Sequence, residues 1–111
     1  MTTLTKEQVI AAVTEAKQAA YTAAMDYIAT QGESYFCGFA WVKVFEKGNT
    51  KMGRWLKEAG LKKSWDTGLD IWNPSGLPTQ SMDVKEAGAQ AAAKVLRDRL
   101  GVKAYAMSRA D

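Results

Sequence analysis

Asp66 and Asp70 are placed to be considered as a carboxylate pair for general acid–base chemistry. They stand four residues apart across an Asp-Thr-Gly turn, not on one helix face, and nothing in the pattern couples them. Tyr105, Ser108 and Arg109 near the end of the chain form no catalytic arrangement. Histidine, the commonest proton carrier and metal ligand near neutral pH, is missing altogether, and Cys37 is the one cysteine. These absences exclude a Ser-His-Asp or Cys-His arrangement, a Cys/His zinc site and an internal disulfide. The chain therefore reads as a non-catalytic protein with no catalytic residues, no metal and no cofactor. Cys37 sits in an apolar stretch and reads as an inert core thiol.

What positions these residues is a chain of 111 residues, 47% hydrophobic, which suits one domain able to bury a core without disulfides or metals. No apolar run approaches the roughly 20 residues of a membrane span. No signal peptide is visible at the start, and a lone thiol suits a reducing cytoplasm. The net charge of +3 is unevenly spread. Residues 1–35 carry two basic against four acidic side chains, whereas residues 36–74 carry seven against four. All four tryptophans fall in that basic middle stretch. A weak positive balance is compatible with a polyanionic partner and does not demand one.

The patterning predicts the order α-β-α-β-α-β, a single α+β domain over residues 1–111 with a small three-stranded sheet packed against helices. Thr5 and Gln8 make a capping box for a helix over 5–30, with Val9, Val13, Ala16, Ala20, Ala24 and Ile28 on its apolar stripe. Residues 35–45, YFCGFAWVKVF, read as a central strand apolar on both faces. Its even positions are small and suit a close helix; its odd positions are Tyr35, Cys37, Phe39, Trp41, Lys43 and Phe45. Asn49 or Thr50 caps a short helix that Gly60 ends, residues 62–68 read as a polar loop, and 69–73 as a short strand. Asp83 with Glu86 reads as the capping box of a third helix running to Leu100, and residues 102–107 as the last strand.

Three segments are candidates for binding. The odd face of the first strand, with Phe39, Trp41 and Tyr105, reads first as the contact in a homo-oligomer, a dimer as the simplest case. It reads second as intramolecular core and third as a platform for single-stranded nucleic acid, where rings stack on bases. The basic run with Lys51, Arg54 and Lys57 on the short helix is either a solvated surface or a set of phosphate contacts. The segment with Asn73, Ser75, Gln80 and Ser81, just ahead of a helix N-terminus, is either an anion site or a rigid connector.

The blocks CGFAWV at 37–42, IWNPSG at 71–76, QSMDVKEAGA at 80–89 and SRAD at 108–111 resemble a group of small tailed-bacteriophage proteins to which no activity is attached. The resemblance implies expression in the cytoplasm of a bacterial host cell. It supplies no mechanism; by analogy with the compact non-enzymatic proteins phages use, the chain is expected to engage a host protein or an anionic nucleotide or phosphate ligand, with no membrane partner.

Overall fold

A computed structural model describes residues 3–111. The elements are α1 (Lys6–Gln31), β1 (Gly38–Val44), α2 (Lys51–Glu58), β2 (Lys62–Lys63), β3 (Leu69–Trp72), α3 (Met82–Leu100) and β4 (Ala104–Ala110). The class is α+β, as the patterning predicts, but the sheet has four strands, not three, in the order β2-β3-β1-β4. The element order is accordingly α-β-α-β-β-α-β. The added strand is the Lys62–Lys63 pair inside the expected polar loop, which pairs antiparallel with β3. Two exposed lysines carry no hydrophobic alternation, so only their partner strand reveals them.

Every strand pair is antiparallel, with β1 between β3 and β4. α3 packs on β1 and β4, and α1 packs on α3 and α2, so both long helices lie on one side of the sheet. The helices start where their caps dictate. Thr5 accepts from the Gln8 N–H while the Gln8 side chain accepts from the Thr5 N–H, completing the capping box of α1. Thr50 caps α2 through the Gly53 N–H. α3 starts one residue earlier than expected, and its cap is Ser81 in place of Asp83. The Cys37↔Ser81 bridge explains the choice, because Gly38 N–H donates to Gln80 O and Met82 N–H to Phe36 O, fixing the chain's entry into the helix.

The core lies between sheet and helices. Ala40, Val42 and Val44 of β1 meet Ala89, Ala92, Ala93 and Leu96 of α3, with Val9, Val13, Ala16 and Ala20 of α1 behind them. Burying each valine or leucine stabilises by roughly 1.5–3 kcal/mol. A one-residue slip of β1 would expose two buried valines and push Trp41 toward the helices, so register is strongly set. The alanine stripe of α1 serves close helix approach: Gly88 of α3 lies so near Ala20 that an added Cβ would stand 3.2 Å from the Ala20 carbonyl oxygen.

β4 runs to Ala110, beyond the expected end at Met107, and is an edge strand. Phe45 N–H donates to Lys103 O and Asp111 N–H to Cys37 O, which places the odd residues of β4 in the bonding positions toward β1. The main-chain groups of Ala106, Ser108 and Ala110 therefore point away from the sheet. At Ala104 the outward carbonyl is taken by the Arg97 guanidinium, 2.8 Å away.

Candidate functional site

The sheet face opposite the helices carries the odd residues of β1 and β4 and the even residues of β3. Registry sets Trp72, Trp41 and Met107 in one row across three strands, and Asp70, Lys43 and Tyr105 in the next. Phe39 of β1 stands opposite Arg109 of β4. The rings of Trp41 and Trp72 stack with centroids 4.7 Å apart, and Phe39 meets Trp72 edge-on at 6.4 Å. Phe45 and Tyr105 form a second edge-on pair. Phe39, Trp41 and Tyr105, the residues anticipated at an interface, thus share one surface with Trp72, Phe45 and Met107.

Among the described residues no helix or strand covers the row Trp72–Trp41–Met107, whereas Asp66, in the loop between β2 and β3, bonds Lys43 in the next row, where Lys43 and Asp70 are buried. Trp72 is 51% exposed and Tyr105 49%, while Phe39 and Trp41 are half-buried by their neighbours. The reading of the face as intramolecular core is thereby corrected: the helices take the small-residue side, leaving the rings on the other. Cys37 is likewise half-buried ahead of β1, not a core thiol.

The cations near the rings are already engaged. Lys85 and Arg109 lie 5.3 and 5.8 Å from the Phe39 centroid, and Arg97 lies over Tyr105. Lys43, in the middle of the face, is buried, and its ammonium sits 2.5 Å from Asp66 Oδ1. That bond, with further hydrogen bonds from the Thr67 backbone and the Ser64 hydroxyl, holds the Asp66 carboxyl down at about 2. Asp70, register partner of Lys43, is 3% exposed, and its Oδ1 has no hydrogen-bond partner. Burial pushes its carboxyl up. Lys43 thus pairs with Asp66 while Asp70 lies beside it in register, a grouping the sequence spacing alone does not disclose.

The anticipated ligand residues are not brought together. Lys51, Arg54 and Lys57 are exposed on α2, but Lys51 lies over the Trp55 ring and Arg54 Nη1 donates to Asn49 O. Lys57 alone turns into a cleft with Lys47 and Lys63. Asn73 lines a different cleft with Lys17 and Lys62.

The segment from Asn73 to Ser81 spends its polar groups on itself and on the elements it joins. Asn73, at φ 42°, donates through Nδ2 to Leu77 O and accepts from the Ser75 hydroxyl. That hydroxyl in turn accepts from Leu77 N–H. Ser81 Oγ accepts from Val84 N–H and from Ser34 N–H. Gln80 is exposed, with its carbonyl taken by Gly38. The geometry is that of a self-bonded connector between β3 and α3.

Among the described residues no group of three Cys, Asp or Glu side chains is arranged to hold a metal, and no helix is long and apolar enough to cross a membrane. No family model matches the chain. No curated protein and no solved structure matches it either.

Proposed function

We propose that this is a non-catalytic binding protein that associates with a second copy of itself through the open sheet face. The observation carrying this reading is the uncovered row Trp72–Trp41–Met107 flanked by Phe39, Phe45 and Tyr105. The four more exposed of these side chains leave on the order of 400 Å² of apolar surface in water, in the range at which monomer patches are commonly functional. That is about half of the ~800 Å² per partner of a standard interface, so the association is expected to depend on concentration.

A platform for single-stranded nucleic acid is the second reading, favoured by the half-exposed Trp72 ring, edge-on to Phe39, over which the Arg109 guanidinium lies. Three features weigh against it. Trp41 and Trp72 already stack on each other, Lys43 is spent on Asp66, and Phe39 is already flanked by Lys85 and Arg109. A base would have to displace contacts before making its own. The setting we attach to the protein is the bacteriophage-infected cell, on the strength of the sequence blocks that resemble small phage proteins.

Sedimentation velocity over a hundredfold concentration range tests the main reading. A rising sedimentation coefficient that Trp72→Ala abolishes supports it, and a monomer throughout removes it. Titration of tryptophan fluorescence with short oligonucleotides at low salt tests the second: strong quenching that weakens with salt would put nucleic acid first.

A further inference from the structure

Three elements converge on a cleft of about 450 Å³ between the turn ahead of α2 and the loop joining β2 to β3. Each contributes one lysine: Lys47 from the turn, Lys57 from α2 and Lys63 from β2. None of the three lies within ion-pair distance of a carboxylate among the described residues. The carboxylate that does line the cleft, Asp66, is already bonded to Lys43, Ser64 and the Thr67 backbone. Three unmatched lysines lining one cleft from three elements repel each other and focus a positive potential into it.

The backbone adds to that potential. The N–H groups of Gly48 and Asn49 find no acceptor among the described residues, and the positive end of α2 follows directly. Gly48 is also the floor under Lys57: a Cβ there would stand 3.2 Å from the Lys57 ammonium. The cleft volume suits a small molecule and is too large for a single phosphate ion. Trp65, the residue before the cleft-lining Asp66, is 89% exposed and stacks on no other ring among the described residues. A bare indole one residue from the lining of a cationic cleft offers a flat surface to a heterocycle whose charged end lies among the lysines.

We infer that this cleft is a binding site for a nucleoside di- or triphosphate, with the phosphates held by Lys47, Lys57, Lys63 and the Gly48–Asn49 amides and the base against Trp65. The inference does not rest on self-association, because the cleft and the aromatic row use different residues.

Calorimetric titration of the full chain at low salt with ATP, inorganic pyrophosphate and adenosine tests it. The expected result is that ATP binds more tightly than pyrophosphate and that adenosine does not bind. Affinity for ATP should fall by at least about tenfold in Lys57→Gln/Lys63→Gln, which loses two charge-assisted contacts. It should be unchanged in Lys94→Gln, whose lysine lies on the surface of α3, with circular dichroism confirming that both variants fold. No ATP binding, or equal affinity in the double variant, would overturn the site. Equal affinity for ATP and pyrophosphate would overturn the assignment of Trp65 to a base and with it the nucleotide.

Discussion

Trp41 and Trp72 occupy directly opposed positions on β1 and β3, and their rings lie stacked, 24° from parallel. Phe39, in the adjacent row, meets Trp72 edge-on, and Met107 stands opposite Trp41 on β4. A stacked pair of this kind contributes about 0.5–1.5 kcal/mol beyond the area it buries. A double-mutant cycle with Trp41→Ala and Trp72→Ala, read by urea unfolding, should return a coupling energy in that range. A coupling near zero would mean that the two rings do not remain together in solution.

The Lys43 cluster makes stability depend on pH in two opposite ways. Asp66 has its carboxyl lowered to about 2, so its favourable contribution is complete above the ordinary carboxylate range and is lost as pH falls toward 2. Asp70 has its carboxyl raised by burial, so it binds a proton in the folded state before it does so unfolded. Acidification from neutral should therefore first raise the melting temperature, as Asp70 protonates, and then lower it below about pH 4. Asp70→Asn should remove the rise and keep the fall. Asp66→Asn should reduce the fall and leave the part due to Asp98, whose carboxyl the Lys94 hydrogen bond also lowers, and thermal melts at stepped pH read all three curves.

Gly53 tests packing against propensity. Alanine at an interior helix position is normally worth roughly 0.5–1 kcal/mol over glycine. Here a Cβ would stand 1.9 Å from the Lys47 carbonyl oxygen, a backbone atom that cannot swing aside. Gly53→Ala should destabilise by about 1–3 kcal/mol in denaturant unfolding, the usual cost of overpacking. A more stable variant would show that the turn at Lys47–Thr50 can move away.

The start of α3 separates two candidate caps. Ser81→Ala removes the acceptor for Val84 N–H and for Ser34 N–H, and should cost about 1–2 kcal/mol. Asp83→Ala loses only a favourable charge in the first turn, about 0.3–1 kcal/mol, and less at high salt. Unfolding of the two variants at low and high ionic strength checks both the order and the salt dependence.

Much of this architecture is written in local pattern. The capping box of α1, the two-faced alternation of β1 and the Thr50 cap each depend on residues within a few positions of one another. The helix-facing side of β1 follows from size alone, since Ala40, Val42 and Val44 fit beneath α3 and Trp41 does not. What stays hidden is set by distant partners. Lys62–Lys63 is a strand because β3 lies beside it, and Ser81 caps α3 because Cys37 pairs with it across the fold. Ser108 and Arg109 continue β4 because an edge strand tolerates polar residues that a half-buried pattern does not anticipate.

The candidate sites divide the same way. Phe39, Trp41 and Tyr105 share a surface because strand alternation fixes the side of each ring and pairing with β4 brings them together. The run of lysines shows that charge is concentrated near α2, but Lys47, Lys57 and Lys63 are selected from it by the approach of the β2–β3 loop. Sequence distance carries no information about that approach.

The outer rim of β4 has a consequence for handling the molecule. Ala106, Ser108 and Ala110 offer a stretch of main chain with small side chains and no proline, a template on which a foreign strand can dock. The Arg97 guanidinium, seated on the Ala104 carbonyl, acts as a gatekeeper at one end of it. Removing that side chain lengthens the unguarded template, and the outcome to look for is fibrillar precipitate on concentration while the melting point barely moves.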